Sequence, residues 1–393
     1  MTTWSDAREL AHELGRSAST RVMTVPTGRA AGLVLASDAR CAHPLPRFDN
    51  SAMDGWAVAG DGPWRAGEPV LAGNPPPAAP LAPGEARPVA TGAPVPPCTL
   101  GIVRSEQAIP SAADGLIDVL EPPLPGVDIR REGEEAVPGE VLLAAGVVLS
   151  PPALGLLAAA GVGQVDVSAP PLVAFVAIGD ELTAPDAGTG PRPAPGAVPD
   201  SLTPMMPSLL TAFGARCATT RRASDRPDDV AAAIRHTRAE TIITSGGTAH
   251  GPADPLREAL RRLEARILID GVALRPGGSV LLALLPDGRH LLGLPGNPLA
   301  AVVALAVLGW PLIQGRLGRA LPALEPVGPG AAGCAGEGGH GSRDRAVACT
   351  LVDGVPVPVR YQRSGMLRGV AAATHLVLTR GDSAQLLRLP WAG

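Results

Sequence analysis

The chain has 393 residues, enough for several hydrophobic cores, because single cores stop growing at roughly 250–300 residues. A net charge of −4 and a pI near 6.0 leave no positive field to gather nucleic acid or an anionic membrane, and five Trp, three Phe and one Tyr offer little surface for base stacking. All 33 basic residues are Arg, so wherever a point charge is needed the chain supplies a planar guanidinium or does without.

In chain order, Met1 to Gly15 carries Asp6, Glu9 and Glu13 and lacks an apolar centre, which argues against a signal peptide. Residues 1–40 read as one helix followed by a short extended segment. From 44 to about 140, short apolar runs are broken by Pro and Gly, as in Pro75-Pro76-Pro77 and Thr91-Gly92-Ala93-Pro94, the punctuation of a small β domain. Ser150-Pro151-Pro152 then opens a helix through Ala153–Ala160, closed by Gly161.

Between about 170 and 318, buried-type strands (Leu172–Ile178, Thr241–Thr244, Leu291–Leu294) alternate with helical stretches near 203–213, 254–263 and 298–313. That alternation predicts a parallel sheet with helices on both faces. The longest apolar run, Leu299–Ile313, is short for a bilayer span and contains Gly309 and Pro311, so a cytoplasmic protein is expected. Asp186–Pro199 and Gly328–Gly341 read as loops, the first of them mobile, and the alternation of Val355, Val357 and Val359 as a small terminal β domain. Five widely spaced cysteines (41, 98, 217, 334, 349) form neither a CxxC nor a paired His pattern, so no disulfide framework or zinc site is indicated.

Ligands of a doubly wound sheet sit beyond the carboxyl ends of its strands. Three strand ends carry unusual loops: Gly179-Asp180-Glu181-Leu182, Ser245-Gly246-Gly247 continuing through Gly251 to Asp254, and Pro295-Gly296-Asn297-Pro298. Glycines at 246, 247 and 251 let backbone N–H groups approach an anion, which predicts a phosphate cradle. Glu181 and Asp254 would then share one sheet edge and could hold Mg²⁺ against phosphate oxygens. Any one of these loops alone reads more simply as a tight turn; three at successive strand ends favour a binding edge. Asp225 reads by default as a helix N-cap, His250 as a polar loop residue, and Ser51 and Ser245 lack the GxSxG setting of a nucleophile.

The run Pro46-Arg47-Phe48-Asp49-Asn50-Ser51-Ala52-Met53-Asp54-Gly55-Trp56-Ala57-Val58 resembles the hallmark of the MoeA and gephyrin E-domain family. In the same order follow Thr91-Gly92-Ala93, Ile129-Arg130-Arg131-Glu132-Gly133-Glu134, the Glu181 loop, the Ser245-to-Asp254 loop, Arg275-Pro276-Gly277, Leu294-Pro295-Gly296-Asn297-Pro298 and Gln362-Arg363-Ser364-Gly365, so the likeness spans essentially the whole chain. It implies a multi-domain α/β fold. A discontinuous helical piece covers 1–43 and 145–170, with a β insertion over 44–144. A three-layer α/β/α MogA-like molybdopterin-binding domain follows over 171–319, and a C-terminal β domain over 320–393.

The implied partners are a second copy in a homodimer, a MogA-type adenylyltransferase and molybdoenzyme chaperones, with no nucleic acid and no membrane. The implied reaction takes adenylylated molybdopterin and molybdate, cleaves the phosphoanhydride with Mg²⁺, releases AMP and leaves molybdenum on the dithiolene. Carried over by position, Asp54, Thr91, Glu181, Asp225 and Asp254 match functional residues, with Pro295, Pro298 and Ser364 matching more loosely. Asp54 would reach the cleft from the partner subunit, and Arg275 would clamp developing phosphate charge. Ser51, Arg130, Ser245, Gly246, Gly247, Gly251, Gly277, Gly296 and Asn297 complete the expected ligand contacts.

Some positions depart from the family pattern. Arg275-Pro276-Gly277-Gly278-Ser279 stands where Lys-Pro-Gly-Lys-Pro is usual, so the second cation is absent. Leu202 replaces a polar residue after Asp200-Ser201, Cys98-Thr99-Leu100 replaces Gly-x-Asp, and Glu135 replaces Asp. Three readings follow: an active molybdenum insertase, an impaired paralogue that binds, stores or senses molybdopterin, and a dimeric scaffold.

Overall fold

The computed structural model describes residues 2–18, 20–111, 114–184, 195–248, 254–327, 344–380 and 383–391. His250, Gly251, the Gly328–Gly341 stretch and most of the Asp186–Pro199 stretch lie outside the described residues. The chain forms two compact units, Met1–Met23 with Ser168–Gly393, and Thr24–Val167.

The first unit opens with helix α1 (Trp4–Ser17), started by Thr3, whose hydroxyl accepts from the Asp6 N–H at 3.2 Å. Its inward face carries Trp4, Ala7, Ala11 and Gly15, and the Trp4 indole N–H donates to the Thr379 carbonyl at 2.8 Å. A six-stranded sheet follows, built from β1 (Leu172–Ile178), β2 (Arg216–Ala223), β3 (Thr241–Ser245), β4 (Arg266–Asp270), β5 (Leu281–Leu284) and β6 (His290–Leu294), in the order β2-β1-β3-β6-β5-β4.

The four strands β2, β1, β3 and β6 run parallel, with Val173 opposite Thr241 and Thr241 opposite His290; β5 pairs antiparallel with both β6 and β4. The sheet is therefore mixed rather than wholly parallel. β2 has an exposed, polar alternation along an edge and β4 is mostly exposed with charged ends, so neither presents the continuous apolar run by which buried strands are recognised; β5 does present one, Leu281–Leu284, but its direction is set by pairing rather than by composition.

Helices α2 (Leu202–Ala212), α3 (Pro227–Arg235), α4 (Pro255–Arg262) and α5 (Pro298–Arg316) connect or flank these strands. Val230 and Ile234 of α3 and Leu256 and Leu260 of α4 pack with Val176, Ile242 and Leu291 into one core. α5 is 19 residues long and apolar enough to cross a membrane by length and composition, exceeding the expected run; 89% of its most apolar window is buried inside the protein. A π-turn over Leu305–Gly309 precedes Pro311, where a proline removes an N–H from the regular ladder. α1 and α5 meet backbone to backbone: a Cβ on Gly15 would stand 2.9 Å from the Arg316 nitrogen.

The unit closes with β7 (Asp344–Val352), β8 (Val355–Pro358), β9 (His375–Arg380) and β10 (Ser383–Arg388). The two-residue strand Leu274–Arg275 pairs in parallel with the start of β7.

In the second unit, strands at Gly101–Arg104, Gly55–Val58, Glu85–Val89, Trp64–Ala66, Leu116–Asp118 and Ile109–Pro110 form a sheet in that order around buried Trp64, Val58, Val103 and Ile117. The expected Ser-Pro-Pro helix is present over Pro151–Ala159; Ser150 accepts from the Ala153 N–H at 3.4 Å, and Gly161 takes φ +80° just past its end.

Candidate functional site

Because β1, β3 and β6 are adjacent and parallel, the loops that follow them open at one edge of the sheet. β1 leads through α2 to β2 on one side, and the chain then crosses to β3 on the other, so the order of connection reverses beside β1. A cavity of about 710 Å³ lies at that edge. Its lining includes Glu181 from the β1 loop, Ser245 and Gly246 from the β3 loop, and Gly296, Asn297 and Pro298 from the β6 loop.

The glycines are steric requirements here. Gly246 has φ +86°, and a Cβ on it would stand 2.5 Å from the Ile178 carbonyl oxygen. Gly247 has φ +64° and presses on the start of α4, with Leu256 Cβ 3.1 Å from its own Cβ position. A Cβ on Gly296 would lie 3.7 Å from Gly246 Cα, so the β3 and β6 turns face each other at van der Waals distance. The Gly246 N–H, however, donates to the Leu294 carbonyl at 3.1 Å. That amide ties two turns together and is not spare for an anion, which narrows the expected phosphate cradle; Gly251 of that cradle is outside the described residues.

A second cavity of about 460 Å³ adjoins the first through Asn297, which lines both. Arg275, Gly277, Gly278, Ser279, Pro295 and Ser364 also line it, and Arg275 is the one cationic side chain among the described lining residues of either cavity. Gly277, at φ +102°, lies against α5, a Cβ there meeting Val303 Cγ1 at 3.0 Å. The Ser364 carbonyl accepts from the Ala300 N–H at 3.2 Å, joining this wall to the first turns of α5.

Glu181 is exposed, and its carboxylate folds over Gly179, whose Cβ position is 2.5 Å from Oε2. Asp254 is placed differently from the expected metal pair. It is buried and caps α4, its Oδ1 accepting from the N–H groups of Leu256 at 3.0 Å and Arg257 at 3.1 Å, while Oδ2 stands 4.0 Å from Arg257 Nε. It is not among the described lining residues of either cavity.

Asp225 is not the helix cap expected by default. Arg226 occupies that position, and Asp225 Oδ2 instead accepts from the Asp180 N–H at 3.1 Å, steadying the turn that carries Glu181. Among the described residues no three His, Cys, Asp or Glu side chains gather closely enough to hold a metal ion. Of the two carboxylates expected to hold Mg²⁺, Glu181 fits as an exposed oxygen donor at the cavity, whereas Asp254 is buried and gives its Oδ1 to the α4 terminus.

The sequence reading missed the apolar wall of the first cavity, formed by Ile178, Leu182, Val198, Leu202 and Leu367. Asp200 braces that wall: its Oδ1 accepts from the N–H groups of Leu202 and Thr203, and its Oδ2 from the Thr203 hydroxyl at 2.6 Å. An Asp just ahead of an apolar helical run is a helix-start residue by type, which is the signal the sequence carried for Asp200.

The second unit carries the hallmark run. Asp54 Oδ1 accepts from the Thr91 N–H at 2.6 Å and the Thr91 hydroxyl at 2.9 Å, and these bonds hold its exposed carboxyl below the ordinary carboxylate value. Ser51 is fully buried, its hydroxyl donating to the Met53 carbonyl at 2.6 Å, so it shapes the turn that presents Asp54. Asp49 accepts from Arg131 Nη1 at 2.6 Å and the Glu132 N–H at 2.8 Å, stapling the Arg130–Glu134 segment to the hallmark; Arg130 is exposed beside it.

Comparison with known proteins accounts for this arrangement. Residues 2–161 match the MoeA N-terminal region (domain I and II), and residues 174–315 match a probable molybdopterin binding domain. The chain is 32% identical over 318 residues to molybdopterin molybdenumtransferase 2 of Mycobacterium tuberculosis, covering 76% of both chains. It belongs to the MoeA family. A molybdopterin molybdenumtransferase of Staphylococcus aureus is 26% identical over 392 residues, covering 94% of this chain and 90% of the relative. The MoeA fold is also that of a molybdopterin biosynthesis protein from Pyrococcus horikoshii, with a TM-score of 0.79 at 19% identity, covering 99% of this chain and 97% of the other.

Proposed function

We propose that this MoeA-family chain is a molybdopterin molybdenumtransferase that acts in molybdenum cofactor biosynthesis. The observation that carries this reading is the junction at Asn297 of two cavities, one ringed by strand-end turns and Glu181, the other holding Arg275. A pterin bearing a phosphoanhydride needs an apolar wall for its ring and donors for its phosphates. The first cavity is lined by Leu182, Leu202 and Leu367 and by Ser245 and Asn297. Molybdate is an oxyanion and goes where the cation is, beside Arg275 and Ser364.

On this reading the substrates are adenylylated molybdopterin and molybdate: an oxygen of water or of molybdate attacks the phosphoanhydride, AMP leaves, and the dithiolene sulfurs replace oxygens on molybdenum, which depart as water. Glu181 is the residue that would hold Mg²⁺ together with substrate phosphate oxygens, and the ion would neutralise charge developing on them. The protein's own contributions are orientation by the two facing glycine turns and charge stabilisation by the Arg275 guanidinium. Asp54, held ionised by Thr91, would come from the partner protomer of a homodimer.

AMP release from adenylylated molybdopterin, molybdate and Mg²⁺ is the test. Release by the wild type, reduced about a hundredfold or more in both Glu181→Gln and Arg275→Ala, supports insertion. Wild-type release no higher than these variants would overturn it. A second reading, binding without transfer, is favoured by the missing side chain at Gly278; tight pterin binding with no AMP release would select it.

A further inference from the structure

We propose that Gln362 is a positioning residue for the molybdate side of the site, an inference that rests on the transferase reading above. The loop between β8 and β9 contributes Ser364 to the Arg275 cavity and Gly365 and Leu367 to the larger one. Such a loop has no ladder of its own, so something must fix its height against α5.

Gln362 does so with both ends of its amide. Its Oε1 accepts from the Ala348 N–H at 3.1 Å, and its Nε2 donates to the carbonyls of Ala348 and Val359, each at 2.7 Å. The side chain thus bonds both main-chain groups of Ala348, whose carbonyl also accepts from the Val359 N–H at 3.0 Å, and so carries the pairing three residues past the point where the backbone ladder stops. Two residues on, the Ser364 carbonyl receives the Ala300 N–H, and a Cβ on Gly365 would stand 3.6 Å from Asn297 Oδ1.

Separate fasteners hold the rest of the loop. Arg368 lies over the Tyr361 ring at 4.7 Å and donates to its hydroxyl at 3.1 Å, and a Cβ on Gly369 would stand 2.8 Å from the Tyr361 carbonyl oxygen. Beyond the Val359 N–H, which also reaches Ala348, Gln362 is the side chain among the described residues that ties the stretch just before Ser364 to the sheet. No other uncharged side chain of this length offers a donor and an acceptor together: Glu has two acceptors, which would face two carbonyl oxygens, and Asn is one methylene short.

The test compares Gln362→Ala, Gln362→Glu and the wild type well below their melting temperatures. Hydrogen exchange at the Ala300 amide should rise about tenfold or more in both variants, while Val347 and Val377 in the β7–β9 ladder stay protected. In transfer assays the KM for molybdate should rise roughly ten- to a hundredfold, because Ser364 is displaced relative to Arg275. Loss of overall stability alone would not change KM in folded protein. Unchanged Ala300 exchange would overturn the proposal, as would a molybdate KM within about twofold of wild type in an active enzyme. If the wild type transfers no molybdenum, the functional reading fails while the exchange measurement still decides the role of Gln362.

Discussion

A Cβ on Gly278 would stand 2.5 Å from the carbonyl oxygen of Val272, closer than real Cβ atoms come to such an oxygen. The Leu274 carbonyl blocks the same space, and the Gly278 carbonyl itself accepts from the Val272 N–H at 2.9 Å. The second cation of the family pattern is therefore excluded by the course of the backbone as well as by the substitution. Gly278→Lys is expected to destabilise the protein by about 1–3 kcal/mol, as overpacking does, without raising transfer activity. Denaturant melts and AMP-release assays on Gly278→Lys and Gly278→Ala check this; a stable, more active lysine variant would show that the backbone yields.

Much of the site was legible because it depends on residues that report backbone geometry. Gly246, Gly247 and Gly277 occupy positive φ, and Pro255 and Pro298 open helices after strand ends, so composition alone marked these turns. Strand β2 was not legible. Its buried neighbour β1 shields it on one side only, and Arg216, Thr220, Arg221 and Arg222 face solvent at the edge. The roles of Asp225 and Asp254 were also hidden, since a carboxylate before a helix reads the same whether it caps, braces a loop or binds a ligand. Their hydrogen-bond partners separate those uses.

Asp254 offers a direct separation of capping from metal binding. An asparagine keeps an oxygen for the Leu256 and Arg257 N–H groups but loses the charge; alanine loses both. If the carboxylate serves only α4, Asp254→Asn should keep most of the stability and transfer activity, while Asp254→Ala should lose about 1 kcal/mol. Loss of Mg²⁺-dependent AMP release in a fully stable Asp254→Asn would instead make it a ligand to the ion. Thermal melts beside activity at varied Mg²⁺ distinguish the two.

His290 sets an acid limit on the fold. It is 3% exposed, Nδ1 has no hydrogen-bond partner among the described residues, and burial, with the nearby Arg316 charge second, pushes its pKa down to about 4 from 6.5. Between those values the unfolded chain binds a proton that the folded chain does not. Stability should thus fall as pH drops from about 6.5 to about 4, by up to roughly 1.4 kcal/mol per unit. His290→Leu should remove that part of the slope, measured by urea melts across this range; an unchanged slope in the variant would assign the acid sensitivity elsewhere.

Among the described residues the Asp54 carboxylate is held by Thr91, through one main-chain and one side-chain donor to the same oxygen. The main-chain bond is the larger cause of the downward shift and the hydroxyl the next, so Thr91→Val, which keeps the main-chain bond, should raise the Asp54 pKa only partway back toward its ordinary value. Because the folded-state pKa is the depressed one, the associated stabilisation is present above the ordinary value and fades as pH falls through the folded one. At neutral pH the variant therefore still carries an ionised Asp54, and any loss of transfer activity there must come from a reoriented carboxylate rather than a neutral one. Carbon-detected titration of Asp54, beside the pH profile of AMP release, tests this. A Thr91→Val enzyme with normal activity at pH 7 would mean that the hydroxyl bond does not hold the carboxylate in its working position.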